Sequence, residues 1–161
     1  MAVGITFAGS QAASALRTAS IADFTLPAVS YSHNDQTSTG ELTLTVSDDG
    51  VDGWNVTVQA SSFVYSGPNG GTDIPAANFS ITAANEPTVV SGQAVDPTGG
   101  PQVPASGATG ALDVPRKVLH ADAGYGQGTY EQRLDVSLTI PGMARAGTYT
   151  STLTVTISAG P

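Results

Sequence analysis

The chain has 161 residues, enough for one domain with a hydrophobic core. Its 13 acidic and 5 basic residues give a net charge of −8, which argues against binding to nucleic acid or to an anionic membrane surface. Cysteine is absent, so disulfides, thiolate metal sites and cysteine nucleophiles are excluded. Charged residues make up only 11% of the chain, against the usual quarter or so, and Ser, Thr, Gly and Ala replace them. Such a hydroxyl-rich surface is typical of secreted and wall-associated β proteins.

The N-terminus, Met1–Phe7, has neither a basic start nor a long apolar stretch, so it is not a signal peptide. No apolar run approaches the roughly 18–20 residues of a membrane helix. Since the composition is typical of exported proteins, we expect a secreted or cell-surface protein in its mature form, with no membrane insertion. Val3, Ile5 and Phe7 alternate with smaller residues and predict a strand. This strand would either be donated to the sheet of a second copy or pair within its own sandwich.

Ser10–Thr18 is the one segment that suggests a helix. The next pattern is strict period-two alternation, in two runs that flank the turn-rich connection 47–53. Their apolar positions are Leu42, Leu44 and Val46, then Trp54, Val56 and Val58. We predict an antiparallel hairpin with one buried and one solvated face.

The same alternation returns near the C-terminus, on both sides of Pro141–Gly147. Its inward positions are Leu134, Val136, Leu138 and Ile140, then Tyr149, Ser151, Leu153, Val155 and Ile157. Weaker strands are predicted at Ile21–Leu26, Ala28–Ser32, Ser62–Tyr65, Phe79–Thr82, Thr88–Val90 and Val114–His120. Many short strands between Gly, Pro, Asn and Asp clusters predict an all-β protein with a single antiparallel β-sandwich over residues 1–161, Ig-like or jelly-roll-like. The Gly/Pro-rich stretch 91–110 is predicted to be a long surface loop.

Two parts of the chain resemble bacterial WxL-type cell-surface domains. The first is the run Leu42–Val58, in which a strand and an acidic turn are followed by Gly53-Trp54 and an alternating strand. The second runs from Gly124–Tyr130 through Ile140-Pro141 to the closing stretch Ala146–Leu153. Of the two Trp-x-Leu-type motifs that name the family, only the first is present, as Trp54-Asn55-Val56. The resemblance implies a non-enzymatic domain that attaches non-covalently to the cell wall, through peptidoglycan.

Aromatic side chains are the candidate ligand-binding residues, because a flat ring can stack on a sugar. We name Trp54, Tyr125 and Tyr130. The alternative for Trp54 is the sandwich core, since it is in phase with Val56 and Val58. Tyr149, which follows Gly147, suggests a corner tyrosine whose hydroxyl ties a loop to the backbone.

Asp48, Asp49 and Asp52 crowd one turn and form a candidate calcium site, since calcium prefers oxygen ligands. The alternative is that Asp and Gly are simply favoured turn residues. No catalytic residues are proposed: the histidine–acid neighbours at positions 33–35 and 120–122 lack a nucleophile elbow. No cofactor is expected beyond that calcium.

Two non-enzymatic functions remain open at this point. One is a surface-attachment module whose partner is cell-wall glycan. The other is a fibre or pilus-like subunit whose partners are copies of itself, joined by the N-terminal strand.

Overall fold

The structure is a computed structural model, and it describes residues 2–7 and 16–160. The elements of the first half are β1 Ala2–Phe7, β2 Arg17–Ile21, β3 Phe24–Thr25, β4 Gln36–Asp48, β5 Trp54–Ala60, β6 Val64–Ser66 and a 3₁₀ turn Ala76–Asn78. Those of the second half are β7 Phe79–Ala84, β8 Thr88–Gly92, β9 Gly110–Ala111, β10 Arg116–Ala121, β11 Gly128–Ile140, β12 Thr148–Thr150 and β13 Thr152–Ala159. In the described part of the chain, no helix is long and apolar enough to cross a membrane.

Two large sheets pack face to face as a β-sandwich, which confirms the predicted all-β class. One sheet has the order β10-β5-β13-β1-β3, and the other has the order β2-β4-β11-β7-β9, with β8 also on β11. A small sheet joins β12 to β6. The pairing is antiparallel except between β1 and β13, which run parallel.

The predicted alternation is confirmed, but the predicted hairpin is wrong. The apolar positions of β4 and β5 are all buried, as are the four of β11. However, β4 pairs with β2 and β11, whereas β5 pairs with β10 and β13. The turn-rich connection after β4 therefore crosses from one sheet to the other. The hairpin prediction failed because period-two alternation indicates which face of a strand is buried, but not which strand lies beside it.

One hydrophobic cluster draws on both sheets. Trp54 of β5 and Tyr130 of β11 face each other across the sandwich with ring centroids 6.3 Å apart. Phe63 meets Phe79 edge to face at 5.4 Å. Each of these four rings has 0% relative exposure, so large aromatic side chains fill the space between the two sheets.

The N-terminal strand pairs with its own chain. Gly4–Phe7 runs parallel to 152–155 of β13, and Ala2 and Val3 oppose β3. The pairing within the same chain that the sequence allowed for the strand of Val3, Ile5 and Phe7 is therefore present, and donation of this strand to a second copy stays a prediction. The helix predicted at Ser10–Thr18 is wrong at its end, because Arg17 and Thr18 lie in β2. Its residues 10–15 lie outside the described residues.

The stretch 91–110 leads from β8 to β9 with many exposed residues, and it is anchored to the domain near its centre. Gly99, Gly100 and Pro101 are buried, and Asp96 and Gly100 exchange two backbone hydrogen bonds. Gln102 forms a backbone bridge to His120 on the outer edge of β10. Of the weaker predicted strands, only Ala28–Ser32 has no strand within it, and this segment is irregular and lines a surface groove.

Candidate functional site

Two of the three predicted ligand-binding aromatics are enclosed in the core. Trp54 and Tyr130 have 0% relative exposure. Trp54 Nε1 donates to the carbonyl of Gly126 at 3.1 Å, and the Tyr130 hydroxyl lies 2.9 Å from the carbonyl of Gln93. Burial raises the pKa of Tyr130, which keeps this hydroxyl a neutral donor. Neither ring presents a face to a ligand, so the structure corrects the predicted role of both residues in favour of the core.

Tyr125, the third predicted aromatic, is half-buried. Its ring lies against Gly99, where an added Cβ would stand 2.2 Å from the ring. Gly99 thus has to lack a side chain for Tyr125 to pack there. One part of the ring remains accessible, and a contact with a ligand at Tyr125 stays a prediction.

The three aspartates of the predicted calcium site are held by other partners. The buried Asp48 accepts from Arg17 Nε at 3.0 Å, and Arg17 Nη2 lies 3.8 Å from Asp52 Oδ2. Asp49 accepts from the backbone amide of Leu16 at 2.7 Å. No group of three or more His, Asp or Glu side chains in the described residues could hold a metal ion. The guanidinium of Arg17 therefore takes the position that the prediction gave to calcium. The predicted calcium site is wrong, and these carboxylates form ion pairs instead.

An open groove lies at the opposite end of the sandwich. Its volume is about 180 Å³, and it runs between the irregular segment 27–32 and the loop that follows β11. The lining comprises residues 27–32, Gln36, Ile140, Pro141, residues 144–147 and Tyr149. Pockets that enclose a drug-sized ligand are usually about 300–1,000 Å³. This groove is smaller and open, which suits one ring or a short segment of a polymer.

The loop that forms one wall is fixed from behind by three side chains. The Tyr149 hydroxyl donates to the carbonyl of Arg145 at 2.9 Å, which confirms the predicted corner tyrosine. The Tyr65 hydroxyl and the Asn69 amide both donate to the carbonyl of Ala146, at 3.2 and 2.8 Å. Tyr65 also packs edge to face on Tyr149 at 5.3 Å. Burial raises the pKa of Tyr149, so this donor stays protonated through the neutral range.

The start of the same loop is fixed by a backbone approach. Gly142 N donates to Asp35 Oδ1 at 2.9 Å. A Cβ on Gly142 would stand 2.2 Å from the carbonyl oxygen of His33. Only glycine allows the two backbones to come this close, which ties the loop after β11 to the segment before β4.

The other wall presents the aromatic ring of the groove. Leu26 is buried and Ser38 Oγ donates to the carbonyl of Pro27 at 2.7 Å, so the segment is anchored where it leaves β3. Tyr31 is 56% exposed, and its ring meets the imidazole of His33 edge to face at 5.2 Å. An exposed ring held at the side of a fixed groove can stack on a sugar face.

The groove and the predicted aromatics lie far apart. Tyr130 lies near the start of β11 and Tyr125 just before that strand, whereas the groove is lined by the last residue of β11, Ile140, and the loop after it. A strand of 13 residues spans roughly 40 Å at about 3.4 Å a residue. The sequence carries no local signal that would join Tyr31 to the loop after Ile140, because more than a hundred residues separate the two walls.

Comparison with known proteins identifies a family. A family model described as WxL domain, surface cell wall-binding, matches residues 6–161. The match covers nearly the whole chain and begins earlier than the resemblance seen in the sequence. No curated protein and no solved structure gave a match.

Proposed function

Because the chain belongs to the WxL family of surface, cell wall-binding domains, we propose that it attaches non-covalently to wall glycan through the groove between residues 27–32 and the loop after β11. The attachment involves no catalysis. Its physical basis is contact between a fixed groove and a repeating polymer.

The observation that supports this proposal is the exposed ring of Tyr31 at a preorganised groove. A binding site costs less to occupy when its walls are already in place. Here the loop wall is fixed by hydrogen bonds to Arg145 and Ala146, and the opposite wall by the bond to Pro27. The hydroxyls of Ser30 and Ser32 and the amide of Gln36 add the hydrogen-bonding groups that a sugar needs.

Assembly into fibres has less support. A donor strand requires a free N-terminal strand and an acceptor edge on the next copy. In this chain β1 has β13 on one side and β3 on the other. No observation on the described residues favours exchange between copies, so attachment is the function we propose.

The test is sedimentation with purified, insoluble peptidoglycan. We expect Tyr31→Ala to lose at least about fivefold in apparent affinity, since a stacked ring contributes on the order of 1 kcal/mol or more. The fold should be retained because the side chain is exposed. Tyr125→Ala is the matched control at the far end of β11, and it should bind as the unmodified chain does.

Each outcome distinguishes the sites. Loss with Tyr125→Ala and not with Tyr31→Ala would move the contact to the opposite end of the sandwich. If both variants bind as tightly as the unmodified chain does, an aromatic contact is excluded at either end of the sandwich. No sedimentation of the unmodified chain would reject wall attachment itself.

A further inference from the structure

The groove differs in charge from the rest of the protein. Acidic residues outnumber basic ones 13 to 5 in the chain, yet the groove lining contains no carboxylate. Its single charged side chain is the guanidinium of Arg145. The nearby Asp35 does not line the groove, and its Oδ1 accepts from the backbone of Gly142.

Arg145 also differs from Arg17 and Arg133, which both form ion pairs. Arg17 is paired with Asp48, and Arg133 lies 3.4 Å from both Glu41 and Asp135. Within residues 16–160, no carboxylate lies within ion-pair distance of Arg145. The side chain is exposed, while its own carbonyl is fixed by the Tyr149 hydroxyl. The protein thus holds the backbone of this residue in place, and among the described residues its guanidinium has no carboxylate partner.

We infer that Arg145 gives the groove its specificity, by binding a carboxylate carried by the glycan segment that lies against Tyr31. This inference rests on the proposed function. A guanidinium presents parallel N–H donors that match both oxygens of a carboxylate, so the contact selects by geometry as well as by charge. An excess of negative charge elsewhere on the protein repels an anionic polymer from other faces and favours contact at this groove.

The test uses three preparations of insoluble peptidoglycan. The first is untreated, the second has its carboxylates converted to neutral amides, and the third has its phosphodiester-linked polymers removed. Arg145→Gln should weaken binding to the untreated preparation about fivefold, the upper range for an exposed ion pair. Lys117→Gln changes the net charge equally on β10, away from the groove, and should have no effect.

A conservative variant of Arg145 distinguishes the effect of its positive charge from that of the planar shape of the guanidinium. Arg145→Lys keeps the positive charge and loses the planar fork, so its affinity should lie between those of the unmodified chain and Arg145→Gln. The unmodified chain should bind the amidated preparation as weakly as Arg145→Gln binds the untreated one. Its binding to the untreated preparation should also fall with salt, since an exposed ion pair is screened.

Several results would overturn the inference. If Arg145→Gln binds normally while Tyr31→Ala does not, the groove binds wall glycan without reading a carboxylate, and only the proposed function stands. If removal of phosphodiester polymers abolishes binding and amidation does not, the anion is a phosphate. If neither groove variant changes binding, both the inference and the proposed site are wrong.

Discussion

Tyr149 and Arg145 are joined by a 2.9 Å hydrogen bond from the tyrosine hydroxyl to the arginine carbonyl, four residues earlier in the chain. The tyrosine is only 5% exposed, whereas the arginine side chain extends into solvent. A residue of the sandwich thus sets the backbone of a residue in the groove wall. The Tyr149 hydroxyl therefore contributes both to the stability of the fold and to the geometry of the site.

Removal of the Tyr149 hydroxyl should lower both the stability of the fold and the affinity for peptidoglycan. Tyr149→Phe should lower the free energy of unfolding by about 1 kcal/mol, the usual contribution of one hydrogen bond. Peptidoglycan binding should weaken as well, because the loop loses a constraint. Urea unfolding and sedimentation measure the two effects. Tyr31→Phe, which removes an exposed hydroxyl, is the matched control, and equal urea midpoints for the two variants would contradict the contribution of the Tyr149 hydroxyl to stability.

The sole tryptophan offers a direct probe of the core. Trp54 has 0% relative exposure, so its fluorescence should be blue-shifted, resist acrylamide and stay unchanged when peptidoglycan fragments are added. Trp54→Ala should destabilise the fold by about 3–5 kcal/mol, because it removes a large buried ring. A change of emission on addition of the fragments would revive the predicted contact between Trp54 and a ligand.

In the acidic turn, the buried ion pair of Arg17 with Asp48 should stabilise the fold more than the exposed contact of Arg17 with Asp52. Asp48→Asn should cost about 3 kcal/mol of stability, since it leaves Arg17 largely buried without its closest counter-charge. Asp52→Asn should cost no more than about 0.5 kcal/mol, because that side chain is 70% exposed and its contact with Arg17 is 3.8 Å. Thermal unfolding of the two variants makes the comparison. Equal losses would mean that burial does not decide the strength of this contact.

Calcium should leave the protein unchanged. A ligand that binds the folded state raises its melting temperature by mass action. We expect the same melting temperature in millimolar calcium and in a chelator, because Arg17 already pairs with Asp48 and Asp52. A calcium-dependent rise that Asp49→Asn abolishes would restore the predicted metal site.

Deletion of residues 1–7 should destabilise the chain and promote association. The deletion leaves residues 152–155 of β13 without their parallel partner, and an unpaired strand edge favours contact between molecules. Light scattering and negative-stain electron microscopy of both forms are the measurements. Filaments formed by the full chain and lost on truncation would show instead that the strand is donated between copies.

The strands could largely be predicted from the sequence, and their partners could not. Alternation in Leu42–Val46 and in Trp54–Val58 correctly identified the buried faces of β4 and β5, since side chains alternate across a strand. Nothing in that pattern encodes which strand lies beside which. The strand order depends on contacts between residues far apart in the sequence, such as the pairing of β4 with β11.

The site was harder to predict than the fold for the same reason. Tyr31 and Arg145 lie in irregular segments, which have no periodicity to interpret, and they become neighbours of one groove only after β4 and β11 pair along their full length. Tyr149 was the exception. A tyrosine just after a glycine turn and before a strand is a local signal, and its predicted hydrogen bond to the loop is confirmed.

The last strand leads from the groove end of the sandwich towards the end that holds Trp54. β13 starts beside Tyr149, and its final residue, Ala159, is paired with Trp54. The amide of Gly160 then donates to the carbonyl of Gly53. A fluorescent label or an affinity handle joined after Gly160 would therefore point away from a surface held at the groove, so a tethered reporter would remain accessible while the domain is anchored.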